Sequence, residues 1–123
     1  MKFGGVNGNM HELSVSQQIL DIAVKKALEV NATTIRQINL VIGDASSVLD
    51  DSVQFYFDFL SRDSLAREAQ LSFKRVPLTL RCCNCNYEFN PAGENWKCPQ
   101  CQRWDIEIAA GKEFYIESIE VDQ

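Results

Sequence analysis

The sequence predicts an α+β fold: two helices against a small three-stranded sheet, with an inserted four-cysteine, zinc-ribbon-like module. Three observations carry this expectation. Two segments space their apolar residues as helices do, three runs have strand character, and all five cysteines fall between Cys82 and Cys101.

The elements follow in order. Met1 to Asn9 holds three of the six glycines and little that can pack, so it reads as a flexible leader over residues 1–9. After Met10-His11-Glu12, a first helix places Leu13, Leu20, Val24 and Ala27 at helical spacing, broadened by Ile19 and Ala23, and Asn31 is a C-terminal stop. A strand spans Ile35 to Ile42, with turn chemistry in Gly43-Asp44 and Ser46-Ser47. Asp50 or Asp51 is placed to cap a second helix whose inner stripe is Val53, Phe57 and Leu60, thickened by Phe55 and Phe59. Leu71 to Val76 is a second strand ending at Pro77, and Glu113 to Val121 a third that returns to the same sheet. The expected division is 10–77 plus 110–123 for the α/β domain and 78–109 for the cysteine module.

Composition narrows the function. Twelve basic against seventeen acidic residues give a net charge of −5 and a pI near 4.8. Affinity for phosphate rests on Lys and Arg, so a general nucleic-acid binder and a basic membrane-surface protein are both disfavoured. No apolar run approaches the ~20 residues of a membrane span. The opening residues lack the apolar run of a secretory signal, and the expected location is the cytoplasm. In a reducing compartment clustered cysteines point to metal rather than to disulfides.

The cysteine pattern is CxxC–x12–CxxC, formed by Cys82, Cys85, Cys98 and Cys101. Two-residue spacing lets one tight turn aim two sulfurs at a common centre, and two such turns face to face complete a tetrahedron. Zinc favours four thiolates in that geometry and needs no open position in a structural site. The module is too short for a core of its own, so metal binding would supply its folding free energy, on the order of 10 kcal/mol. A rubredoxin-like iron site competes, because Cys98-Pro99-Gln100-Cys101 resembles a rubredoxin knuckle. Against it, neither second cysteine is followed by Gly, and the helical region has no place in such a protein. Cys83 reads as a non-ligand. Four cysteines leave no open position for hydrolytic zinc chemistry, there is no glycine-rich phosphate loop, and no catalytic residues are expected. His11, the only histidine, reads by composition alone as a surface residue.

Taken together, Met10-His11-Glu12-Leu13-Ser14, Val41-Ile42-Gly43-Asp44, the paired CxxC module and Ile116 to Val121 resemble the HypA/HybF family. These are metallochaperones that help insert nickel into the large subunit of [NiFe]-hydrogenase. The resemblance implies a structural zinc at Cys82, Cys85, Cys98 and Cys101, and a nickel site at His11 and Glu12. An imidazole, amide nitrogens and a nearby carboxylate suit Ni(II). Asp44, Asp50 and Asp51 are candidates for an assisting carboxylate. The implied partners are a HypB-like GTPase and the hydrogenase large-subunit precursor, with a homodimer formed by domain swapping as a further expectation.

The leader departs from the family, where the MHE sequence is the N-terminus and its amine can join the site. Here nine residues precede Met10. Either translation starts at Met10, or the first nine residues are removed or foreign to the natural chain, or nickel binds without the amine. Two other functions remain open on the residues alone: a zinc-ribbon interaction module in transcription or RNA processing, and an iron electron carrier.

Overall fold

The computed structural model describes residues 4–5, 12–46, 48–91, 93 and 95–123. The elements are β1 (Gly4–Gly5), α1 (Glu12–Glu29), β2 (Thr34–Gly43), α2 (Asp50–Leu60), β3 (Gln70–Val76), β4 (Thr79–Cys82), β5 (Glu88–Phe89), β6 (Ile106–Ala110) and β7 (Phe114–Asp122). They divide into two compact units. The first comprises Met1–Val41, Ser47–Lys74 and Phe114–Gln123; the second comprises Ile42–Ser46 and Arg75–Glu113.

The first unit is built on a sheet of order β1-β7-β2-β3. Thr33 N–H donates to the Asp122 carbonyl, and Asn39 reaches Ser118, so β7 runs antiparallel to β2. The Ile35 N–H meets the carbonyl of Leu65, just ahead of β3, which lies beside β2 at the far end of the α2 crossover. The last strand returns to the first sheet, as the sequence predicts. Within the stretch read as a leader, Gly4 and Gly5 form a two-residue strand against Ile116 and Tyr115, a fourth strand beyond the three expected.

Helix α1 ends where Asn31 takes a left-handed conformation (φ 58°), which an asparagine tolerates better than most residues. Its buried face is Val15, Ser16, Ile19, Leu20, Ala23 and Ala27. Leu13, expected in the stripe, is instead 48% exposed. At 100° per residue it lies about 80° from the centre of the buried face and at the open first turn.

Helix α2 departs more. Val53 and Phe57 are fully buried, but Phe55 and Phe59 are 69% and 60% exposed. Residues two apart on a helix point about 200° apart, so 55/59 and 53/57 form opposite stripes. The N-terminal boundary residue is Leu49, which cannot cap with its side chain; Asp50 and Asp51 stand in the first turn instead. There they meet the positive end of the helix dipole without being the capping residue.

In the second unit, β5-β4-β6 form an antiparallel sheet. The sequence pattern did not foresee these short strands. Arg81 on the central strand lies opposite Glu88 and Glu107 on its neighbours and bonds both, at 3.1 and 3.0 Å. The two carboxylates hold its guanidinium pKa above the ordinary value.

The second unit also includes the turn after β2, and here Gly43 is required. A Cβ at Gly43 would collide with the Gly111 carbonyl, and one at Gly111, itself at φ 109°, would stand 2.7 Å from the Leu78 Cα. The two segments lie this close because backbone bonds join them. Gly43 N–H donates to Glu113, Ala45 N–H to Gly111, and Asp44 N–H to Val76.

Candidate metal centre

Two copies of one backbone device build the cysteine site. The Asn86 N–H bonds the Cys82 carbonyl at 2.9 Å, and the Gln102 N–H bonds the Cys98 carbonyl at 3.0 Å. The Cys82 N–H bonds Tyr87, and the Cys98 N–H bonds Arg103, at 3.0 and 2.9 Å. Each loop turns back through one left-handed residue after its second cysteine: Asn86 at φ 62° and Gln102 at φ 67°. The missing glycines therefore do not mean a missing knuckle, and their absence does not separate zinc from iron. The signal present in the sequence was an equivalent position in both loops; asparagine tolerates the left-handed region, whereas Gln102 is held there by the closing bond to Cys98.

The four sulfurs converge. Cys82 Sγ lies 3.4 Å from Cys101 Sγ, Cys85 Sγ lies 3.7 Å from Cys98 Sγ, and all four lie within 4.8 Å of one another. Tetrahedral zinc with metal–sulfur bonds of about 2.3 Å separates its sulfurs by about 3.8 Å. The donor set and spacing fit a closed four-thiolate metal site. Cys82 and Cys98 are fully buried, and the other two are partly covered.

The surroundings favour thiolate unequally. At Cys82 the Cys85 N–H outweighs desolvation and lowers the pKa, helped by the Asn84 N–H. At Cys98 desolvation opposes the thiolate, but the N–H groups of Cys101 and Gln100 and two neighbouring sulfurs bring it down to about 7. Cys85 receives the Tyr87 N–H, yet desolvation and the other three sulfurs push it up to about 12. One cluster thus gathers two acidic thiols beside a reluctant one, whose proton a bound cation would displace. Cys83 is exposed and stands outside the group. Partial loss of water, then Glu107 and Asp105, raise its pKa.

Of the residues assigned to nickel, His11 lies outside the described residues. Glu12 is the first residue of α1 and half-buried. Its Oε2 accepts a long bond of 3.4 Å from the Leu49 N–H, immediately before Asp50 and Asp51. Asp44 lies in the second unit, whereas Glu12, Asp50 and Asp51 lie in the first. Sequence reasoning missed Ser16, a fully buried hydroxyl 2.7 Å from the Glu12 carbonyl and 2.9 Å from the Val53 carbonyl. A serine one turn into an apolar stripe was the available signal.

Comparison with known proteins places this arrangement. Residues 10–121 match the family model described as "Hydrogenase/urease nickel incorporation, metallochaperone, hypA". The chain is 50% identical over 114 residues to the hydrogenase maturation factor HypA of Dehalococcoides mccartyi strain 195, covering 92% of this chain and 95% of the relative. It is 40% identical over 114 residues to the same factor of Caldanaerobacter subterraneus subsp. tengcongensis, covering 92% of this chain and 100% of the relative. In fold it resembles the solution structure of the Ni metallochaperone HypA from Helicobacter pylori. That likeness has a TM-score of 0.66 at 24% identity, over 92% of this chain and 98% of that one. A second solution structure of a HypA protein superposes with a TM-score of 0.69 at 25% identity, over 91% and 96%.

The arrangement is that of a metal-carrying maturation factor rather than of a catalytic family. The chain belongs to the HypA family of nickel metallochaperones that act in hydrogenase maturation.

Proposed function

We propose that this protein carries nickel to the large-subunit precursor of [NiFe]-hydrogenase, holding the ion at His11 and Glu12, while Cys82, Cys85, Cys98 and Cys101 bind a structural zinc. The carrying observation is the family match over residues 10–121, which begins at the MHE sequence and includes all four cysteines. Four convergent sulfurs at near-tetrahedral spacing support the zinc assignment.

The two sites suit different tasks. A closed four-thiolate site leaves no position for exchange and fits a structural ion. A site of imidazole, amide nitrogen and one carboxylate keeps positions open, so the ion can be received and released. No catalytic step is needed. A HypB-like GTPase and the large-subunit precursor are the proposed partners for receipt and delivery. Delivery takes place in the cytoplasm on this reading; among the described residues no helix is long and apolar enough to cross a membrane. Exchange of the terminal strand or the cysteine module between two copies gives a route to a dimer.

Nickel titration of the full chain, of a form starting at Met10, and of His11→Ala tests the reading. The full chain should bind and His11→Ala should not. If a terminal amine joins the site, the Met10 form should bind at least tenfold tighter, about 1.4 kcal/mol. Absence of binding by both unsubstituted forms would remove the nickel assignment.

A further inference from the structure

Helix α2 begins without a cap of its own. Leu49, at its N-terminal boundary, has an extended backbone (φ −96°, ψ 128°) and no side chain able to bond the first turn. In a capping box, a Glu or Gln three residues on reaches back to the boundary N–H. That position here is Ser52, whose side chain is too short to make the same reach. The role passes to another helix: Glu12 Oε2 lies 3.4 Å from the Leu49 N–H. One turn along both helices, Ser16 Oγ lies 2.9 Å from the Val53 carbonyl, and the Val53 N–H bonds the Leu49 carbonyl. Positions 12 and 16 of α1 thus face positions 49 and 53 of α2, at the same four-residue step on each helix.

We propose that Glu12 is shared between the nickel ion and the N-terminal boundary of α2. Its carboxylate accepts the Leu49 N–H in the unloaded protein and turns toward nickel on loading, which loosens the first turn of α2. This inference rests on the nickel reading above. The long bond suits an exchangeable partner, since a contact of 3.4 Å holds the carboxylate weakly. Asp50 and Asp51 add negative charge at the same helix end, which opposes the approach of Glu12 and lowers the cost of its departure. Ser16 does not compete for the ion: fully buried, it keeps the helices in register when Glu12 lets go.

Hydrogen exchange read by mass spectrometry on the full chain, with Ni²⁺ binding followed in parallel by calorimetry, tests the coupling. In the unsubstituted protein, Ni²⁺ should speed exchange over residues 49–53 by about twofold, the factor expected for the loss of one weak hydrogen bond. Exchange over residues 19–27 should stay unchanged. Glu12→Ala should show fast exchange at 49–53 already without nickel, and no further change on its addition. Glu12→Gln keeps a neutral acceptor and should protect 49–53 with or without Ni²⁺. Nickel binding with unchanged exchange in the unsubstituted protein would overturn the coupling and leave the nickel reading intact. Absence of nickel binding would overturn that reading and the coupling with it.

Discussion

Cys82 Sγ and Cys101 Sγ stand 3.4 Å apart, although nineteen positions separate them in the chain. Each belongs to a different knuckle, so the contact exists only when both loops are folded and opposed. Metal content and folding of the second unit are therefore one property. Protein as isolated should carry one zinc per chain. Cys98→Ser should lose it and disorder the second unit, while α1 and α2 keep their helical signal, because their buried faces lie in the first unit. Cys83→Ala should retain the metal. Elemental analysis with circular dichroism checks both, and loss of zinc from the Cys83 variant would show that the ligand set is wrong.

The pH dependence follows from the thiols. Cys98, at about 7 in the folded chain against an ordinary 9.0, sheds its proton more readily when folded than when unfolded. Its contribution to stability is complete above pH 9, declines as pH falls and is gone below 7. Cys85, at about 12, stays protonated throughout that range, so a metal must displace its proton. Apparent zinc affinity should fall with decreasing pH and fall more steeply below 7, where the proton on Cys98 is added to those the metal must displace. Competition with a chromophoric chelator between pH 5.5 and 8.5 reads the slope. A constant slope through pH 7 would contradict the acidic Cys98.

Gly43→Ala should be costly. The added methyl meets the Gly111 carbonyl, and the hydrogen bonds of Gly43, Asp44 and Ala45 prevent the segments from separating freely. A loss of about 1–3 kcal/mol is expected, as for other overpacked sites. Denaturant unfolding followed through Trp96 and Trp104, both in the second unit, measures it. An unchanged midpoint would mean the turn can move aside.

The two aromatic stripes of α2 should respond differently. Phe57→Ala removes a fully buried ring and should cost about 3–5 kcal/mol. Phe55→Ser, on the exposed stripe, should change stability by no more than about 0.5 kcal/mol. Thermal unfolding of the two variants distinguishes them, and a severe loss in Phe55→Ser would mean that its ring is packed in solution.

Local spacing was enough to read most of this protein. Helical periodicity located α1 and α2 because a buried stripe must recur every three or four residues. The strand character of Glu113 to Val121 located the returning strand, and Asn31 marked the end of α1. The paired CxxC pattern named the four converging sulfurs, since a two-residue spacing can point both thiols of a knuckle one way. The MHE sequence together with the paired CxxC module carried the family resemblance, supported by Val41 to Asp44 and Ile116 to Val121.

Tertiary structure decided what spacing leaves degenerate. Spacing put Val53 and Phe57 on the inner stripe of α2, but only its packing showed that Phe55 and Phe59 stand outside that stripe rather than thickening it. Asn86 and Gln102 took conformations that sequence rules reserve first for glycine, because backbone bonds to Cys82 and Cys98 hold each loop closed. Gly43 met Gly111 across 68 positions, and Glu12 supplied from α1 the acceptor that α2 lacks. For Gly43 and Glu12 the deciding partner is distant in sequence, so its energy enters only after the chain has folded; the bonds that hold Asn86 and Gln102 reach four residues back and are local to each knuckle.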